Sequence, residues 1–404
     1  MFGIIQKNHS FHCQRGTEEA SDADDRGGEY MRCSELLREN LVSARDVAGY
    51  LKLTAAEEEK LSQILTLYPM SITPYYLSLI DWEDPDDPVR KMCIPSIEEF
   101  DLSGSFDTSG EADNTVIVGM QHKYRETALI LSTNRCAMYC RHCFRKRLVG
   151  LSDAEIARHL DEMFDYLREH REVTNVLISG GDAFMNDNHV IQTYLENLCA
   201  IDHLDFIRFG SRVPVTLPAR ITEDKEFLEM MEHYGRKKQL YLVTHFNHPH
   251  EITPESIRAI RLLMEAGLVI RNQTVLLKGI NSEPEVLGQL LKQLTGMGAV
   301  PYYVFQCRPV TGVKNQFQVS LRNGYRITQE ARNMQNGMGK SFRYAMSHDT
   351  GKIEILGDLQ DGRMLFKYHQ AKYQKDAGRI FTMPVSDDQC WLPRTESLDN
   401  SREP

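Results

Sequence analysis

The feature that most constrains this chain is an alternation of six short apolar runs, at residues 128–131, 175–178, 206–209, 240–244, 269–275 and 302–305. Amphipathic stretches separate them near residues 153–170, 189–199, 224–233, 254–266 and 285–296. Short, continuous apolar runs read as strands buried on both faces, and strands joined through helices form a parallel sheet with right-handed crossovers. Six such units predict an α/β fold, a partial (β/α)6 barrel of the TIM type. Barrels carry their chemistry at the carboxyl ends of the strands, so the residues that follow each run are the candidates for function.

Behind the first run stand Cys136, Cys140 and Cys143 in C-x3-C-x2-C spacing. Three thiolates on one loop suit three irons of a 4Fe-4S cluster and leave the fourth iron open to a ligand. A structural zinc site takes four ligands, usually from two C-x2-C pairs, and no second pair occurs here. His142 lies between Cys140 and Cys143, too close for all four side chains to surround one ion. Arg135, Arg141, Arg145, Lys146 and Arg147 make the loop basic, which favours thiolate over thiol. The cluster ranks ahead of zinc, and zinc ahead of three unrelated thiols.

Composition sets bounds on the rest. A chain of 404 residues can bury a large core, and its formal net charge of −10 argues against nucleic-acid binding. No apolar run is long enough to span a membrane. Cys13, Cys33, Cys93, Cys199, Cys307 and Cys390 are scattered without a repeat, as reduced thiols of a cytoplasmic protein would be. Residues 1–30 are polar and read as a disordered lead, with Met31 as an alternative start, and 386–404 as a loose tail. Residues 31–115 form a helical accessory region, since caps at Ser34 and Thr54 precede helical spacing at Leu61, Ile64 and Leu65, and 103–113 is a loop. The barrel occupies 116–310. A C-terminal cap over 311–385 has a helix near 327–338 and strands near 342–346 and 353–356.

The cysteine loop resembles that of the radical S-adenosylmethionine enzymes, and six ordered segments resemble lysine 2,3-aminomutase and its relatives. These are Tyr68 to Asp81, the cysteine loop through Arg147, Ser179-Gly180-Gly181-Asp182, Gly210 to Pro214, Thr244 to Pro249, and Asn272 to Gly279. The resemblance implies a radical SAM barrel with an N-terminal helical extension and a C-terminal cap. It also implies a 4Fe-4S cluster on Cys136, Cys140 and Cys143 whose open iron binds S-adenosyl-L-methionine. Ser179, Gly180, Gly181 and Asp182 would meet the amino acid part of that cofactor, with Arg212 and His245 nearby, the glycines allowing backbone close to the ligand. A second cofactor is implied, pyridoxal 5′-phosphate, held by Lys352 through its aldehyde. A lysine in such a turn is otherwise most often solvated surface. Lys123, Tyr124 and Gln273 match phosphate-binding positions, while Thr127 stands where relatives carry a second arginine and Arg125 is a substitute. Arg145 corresponds to the residue that grips the substrate carboxylate, with neutralisation of the cluster as its other reading.

One departure bears on the substrate. Relatives hold the lysine ammonium with two aspartates, and the first of these positions, after Cys307, is Arg308. The segment bearing the second is missing, since Asn336 to Lys340 leads almost directly to the strand before Lys352. Cys390 stands alone where some relatives have a zinc-binding cysteine cluster. Free lysine is therefore expected to be a poor substrate, and Arg308 points to an acidic or neutral polar side chain such as glutamate, with a structural salt bridge as its bland alternative. The leading expectation is an isomerase, a 2,3-aminomutase of a small amino acid, reduced by flavodoxin or ferredoxin and compatible with a homo-oligomer. The alternatives are a radical enzyme acting on another small molecule or a protein lysine, and a non-catalytic iron-sulfur protein.

Overall fold

The computed structural model describes residues 33–393; the lead and the end of the tail lie outside the described residues. Twelve strands form one sheet in chain order. They are β1 (Thr115–Ile117), β2 (Met120–Tyr124), β3 (Thr127–Thr133), β4 (Asn175–Gly180), β5 (Phe206–Gly210) and β6 (Gln239–Thr244), followed by β7 (Val269–Leu276), β8 (Val300–Gln306), β9 (Arg343–His348), β10 (Gly351–Asp358), β11 (Arg363–Ala371) and β12 (Ile380–Pro384). Each pair from β3 to β9 is parallel, and the flanking pairs on either side are antiparallel. The outer strands β1 and β12 do not pair, so the barrel stays open.

The six expected strands are β3 to β8. The run near 342–346 differs from the expectation: as β9 it adds to β8 in parallel, Tyr303 opposite Arg343 and Phe305 opposite Ala345, and becomes a seventh barrel strand. The helix Leu321–Asn333, capped by Ser320, makes the crossover that this pairing requires. Residues 151–159 do not extend the first expected helix, which starts at Leu160. There Ala157 donates its N–H to the Leu131 carbonyl at 2.8 Å, and an amide given to a strand cannot also close a helical turn.

Strands expected to be buried on both faces prove to be two-faced. In β5, Ile207 and Phe209 are buried, Phe209 packing with Phe184, which in turn meets Phe227 of the helix Lys225–Gly235, while Phe206, Arg208 and Gly210 alternate with them on the inner face. β7 alternates in the same way along its whole length, with Gln273 on the half-exposed side. The outer face makes the main core under the helices, and the inner face lines a polar interior.

Two N-terminal helices, Ala44–Leu51 and Ala55–Leu67, begin with capping boxes at Ser43/Asp46 and Thr54/Glu57, each stabilising by about 1 kcal/mol. Residues 386–393, read from the sequence as the start of a loose tail, are held against the barrel instead. The Gln389 carbonyl accepts from Leu321 N at 2.8 Å, the Cys390 carbonyl from Gln306 Nε2 at 2.9 Å, and Leu392 is 2 % exposed.

Candidate active site

The cysteine loop leaves the end of β3 and is fixed by backbone bonds to the N-terminal region: Tyr139 N to Ser71 O and Arg141 N to Met92 O, both 2.9 Å. The loop's basic residues are largely committed elsewhere. Arg141 donates from Nε to Glu99 at 2.8 Å and Lys146 from Nζ at 2.6 Å, and Glu99 is fully buried. Arg147 is shared between Glu111 and Glu155 at 2.7 Å each. Burial pushes the Cys143 thiol up to about 11 and raises Cys136 as well, outweighing Arg145 and Lys146, which favour the Cys143 thiolate as expected. Thiolate here needs a metal's own charge. Among the described residues no three His, Cys, Asp or Glu side chains gather as ligands of a single ion would. Three cysteines on one loop supply a thiolate for each of three irons, the donor chemistry that a four-iron cluster takes.

The turn Ser179-Gly180-Gly181-Asp182 ends β4 and lies directly on the start of that loop. Gly181 N donates to Thr133 O at 2.6 Å and Asp182 N to Arg135 O at 2.8 Å. A Cβ on Gly180 would stand 2.3 Å from Thr133 O, and one on Gly181 2.3 Å from Arg135 O. The chain's own backbone thus requires both glycines, in addition to the closeness to a ligand that the sequence reading expects of them. Two backbone hydrogen bonds thus join the cysteine loop to the turn. Asp182 accepts from Phe184 N at 3.0 Å and from Arg212 N at 2.6 Å, and burial raises its carboxyl to about 6.

Arg212, at the end of β5, donates from Nη1 to Cys140 Sγ at 2.8 Å and from Nε to the His245 carbonyl at 2.9 Å, and it pairs with Glu251. Glu251 is fully buried and also accepts from Tyr76 Oη and Asn247 N, each at 2.6 Å. Thus the N-terminal segment around Tyr76 holds Arg212 through a carboxylate that sequence reasoning missed. Burial lowers His245 to about 4, so the ring is neutral, with Nδ1 2.9 Å from the Gln273 carbonyl.

The inner face of the barrel collects the remaining candidates. Lys352, in β10, holds Nζ 5.6 Å from the Tyr124 ring centre and 5.1 Å from that of Tyr303. Burial, then the charges of Arg208, Lys123 and Arg308, brings its ammonium down to about 7. Lys123 donates to the carbonyls of Ser109 at 3.0 Å and His348 at 2.6 Å, and burial with Arg308 nearby lowers it to about 7 as well. Arg308 donates to Ser109 Oγ at 2.9 Å and lies 4.1 Å from the Phe144 ring centre. Arg145 lies 4.6 Å from that same ring and pairs with Glu111 at 2.9 Å, its Nη1 reaching Ser179 Oγ at 3.4 Å. Arg145 therefore stands between the glycine turn and Lys352's surroundings. Arg125 is exposed in the two-residue turn between β2 and β3 and offers nothing to the interior.

Glu111 belongs to the loop that the sequence marked only as a loop, rich in Gly, Ser and Asp. Nothing in its local pattern distinguishes it from neighbouring Asp107 or Asp113. Glu99, Glu251 and Arg208 were likewise invisible, because their roles come from residues distant in the chain. A surplus of buried cations on one wall suits an anionic cofactor, and the wall formed by Lys123, Arg208, Arg308 and Lys352 fits a phosphate.

Residues 130–291 match the model of the radical SAM superfamily. A putative L-lysine 2,3-aminomutase of Aquifex aeolicus is 38% identical over 83% of this chain and 90% of its own length. L-lysine 2,3-aminomutase of Clostridium subterminale is 38% identical over 74% of this chain and 72% of its own. Glutamate 2,3-aminomutase of Clostridioides difficile is 38% identical over 75% and 71%. Among the described residues no helix is long and apolar enough to cross a membrane. With a barrel of radical SAM architecture, a three-cysteine loop seated on its glycine turn, and this similarity over most of the chain, the protein belongs to the lysine 2,3-aminomutase family of radical S-adenosylmethionine enzymes, as a divergent member.

Proposed function

We propose that the chain is a 2,3-aminomutase, moving the amino group of a free amino acid from Cα to Cβ, and that its substrate has an acidic or neutral polar side chain. The observation that carries the reading is Lys352, an amine inside the barrel between two tyrosine rings, with cations and no carboxylate acting on it. When bound, the reduced cluster with S-adenosylmethionine supplies a 5′-deoxyadenosyl radical, and pyridoxal phosphate supplies a covalent hold on the substrate amine.

The chain's own residues do the rest. Burial and the neighbouring cations bring Lys352 down to about 7, so the free amine, the form able to attack an aldehyde, is far more populated at neutral pH than in an ordinary lysine. Arg145, whose Nε and Nη2 are held by Glu111, orients the substrate carboxylate through its charge and its Nη1 hydrogens, which make only long contacts of 3.4 Å within the chain. Arg308 shares the Phe144 ring with Arg145, so two guanidinium groups stand close together where a second carboxylate is favoured and an ammonium repelled. The identity values do not choose between lysine and glutamate, being 38% to enzymes of either name. Arg308 supports the acidic side chain. A reductant such as flavodoxin or ferredoxin, in a cytoplasmic setting, would supply the electron.

The test is anaerobic reconstitution followed by optical titration with pyridoxal phosphate. The wild type should develop the visible absorbance of lysine-linked cofactor, faster as pH rises through about 7, and Lys352→Ala should not. An unchanged spectrum in the variant refutes the assignment of Lys352. Incubation with single amino acids should yield β-amino acid from glutamate and little from lysine; robust lysine turnover refutes the substrate reading.

A further inference from the structure

Arg208 has no explanation within the fold. It is the middle residue of β5 and shares the strand's inner face with Gly210, which abuts Ser179 of the glycine turn. Its guanidinium turns toward the base of the barrel, where Nη2 donates to Asn175 Oδ1 at 2.6 Å. Nε is buried and has no partner. No carboxylate acts on it: the charged group it meets is Lys352, and the other groups acting on it are the rings of Tyr302 and Tyr303. A guanidinium facing a second cation, with a buried donor unsatisfied, is unfavourable unless an anion completes the site.

The surroundings define that anion. Lys123, Lys352 and Arg308 act electrostatically on one another and define the same wall of the interior. The three carboxylates that act on them are already engaged, Glu111 with Arg145 and Arg147, Asp349 with His348, and Asp107 with the backbone N–H groups of Ser109, Glu111 and Ala112. What remains is a net positive, partly desolvated wall with an amine at its edge, suited to the two charges of a phosphate monoester.

Position adds a second argument. Asn175, which accepts from Arg208, also donates from Nδ2 to Thr127 Oγ1 at 3.1 Å. Thr127 opens β3 and stands opposite Asn175 in the register of β3 and β4. Arg208 is therefore linked to Thr127, an uncharged side chain, through the single side chain of Asn175 on the strand between them. The exposed Arg125 does not serve the Thr127 position.

We propose that Arg208 binds the phosphate group of pyridoxal phosphate at the base of the barrel, from β5, in the place that Thr127 leaves without a guanidinium. The proposal rests on the reading of Lys352 as the cofactor's lysine. Asn175 positions the guanidinium by taking one Nη2 hydrogen, and leaves Nε, Nη1 and the other Nη2 hydrogen as donors for phosphate oxygens.

The experiment is an equilibrium titration of the cluster-reconstituted full chain with pyridoxal phosphate, with pyridoxal, which lacks the phosphate, and with inorganic phosphate as competitor. Wild type, Arg208→Gln and Arg208→Lys are compared, with thermal melts confirming that each is folded. Loss of one charge-assisted fork should weaken pyridoxal phosphate roughly 10- to 100-fold in Arg208→Gln. The lysine variant, a point charge without the fork, should lie between. Pyridoxal affinity should change less than about 2-fold, and inorganic phosphate should compete with the cofactor in the wild type but poorly in Arg208→Gln. Equal losses for pyridoxal and its phosphate, or an unchanged pyridoxal phosphate affinity in Arg208→Gln, overturn the role of Arg208 alone. If the wild type takes neither aldehyde, the reading of Lys352 falls first and the proposal with it. Should Arg208→Gln not fold, the lysine variant decides by the same ratio between the two aldehydes.

Discussion

Glu111 offers the most direct check on how the interior is held together. It is 6 % exposed and accepts from Arg145 at 2.9 Å and Arg147 at 2.7 Å, with Arg308 also near. Burial alone would raise its carboxyl, but Arg145, Arg308 and Arg147 outweigh burial and bring it from 4.5 to about 2. That difference corresponds to roughly 3 kcal/mol of stability at neutral pH. Because the folded value lies below the unfolded one, the contribution is complete above about pH 4.5 and is lost as pH falls through about 2. Glu111→Gln keeps the shape and removes the charge, leaving Arg145 buried beside Arg308 with no counter-ion. The expected loss is roughly 3 kcal/mol, or on the order of 5 °C in Tm for a chain of this size. Thermal melts at pH 5.5 and pH 8 should show the same deficit, since the carboxylate is fully charged at both. An unchanged Tm, or a deficit that differs between these two pH values, would refute the reasoning. Arg145 would also lose its anchor, so KM for the amino acid should rise more than kcat falls.

Two further outcomes follow from the cysteine loop. Gly181→Ala places a Cβ 2.3 Å from the Arg135 carbonyl, backbone against backbone, so the loop leading to Cys136 must shift. Iron and sulfide per chain should drop after reconstitution, and release of 5′-deoxyadenosine from S-adenosylmethionine should fall at least about 100-fold; a variant with wild-type values in both assays would contradict the coupling of turn and loop. Glu99→Gln leaves Arg141 and Lys146 without their buried carboxylate, which costs about 3–5 kcal/mol. Unfolding by denaturant should show that loss even in the apoprotein, and its absence would mean that Glu99 is not what secures the cysteine loop.

How much of this was legible beforehand depends on the range of the interaction that produced it. Strands β3 to β8 and their intervening helices were readable because apolar runs and 3.6-residue spacing are local patterns. So were the cysteine triplet, the glycine turn, and Lys352 by its place in a familiar segment. The two-faced character of the strands was missed, because Arg208 and Gln273 sit in runs whose apolar neighbours dominate. The run that became β9 was taken for part of a cap, because pairing with β8 depends on where the helix Leu321–Asn333 returns the chain. The placement of Arg125 and Arg208 was hidden for the same reason. One lies near the phosphate positions in sequence and is exposed in a hairpin turn; the other comes from β5 and meets Thr127 through Asn175.

The sequence by itself determined the fold class, the chemistry of the cysteine loop and the order of the motifs along the strand ends, since each depends on neighbours within a few residues. Only the tertiary structure decided which carboxylates hold which arginines. Glu99, Glu111 and Glu251 look like ordinary acidic residues until folding buries them against Arg141, Arg145 and Arg212, because in a desolvated interior a charge must have its partner at hydrogen-bond distance, wherever in the chain that partner lies.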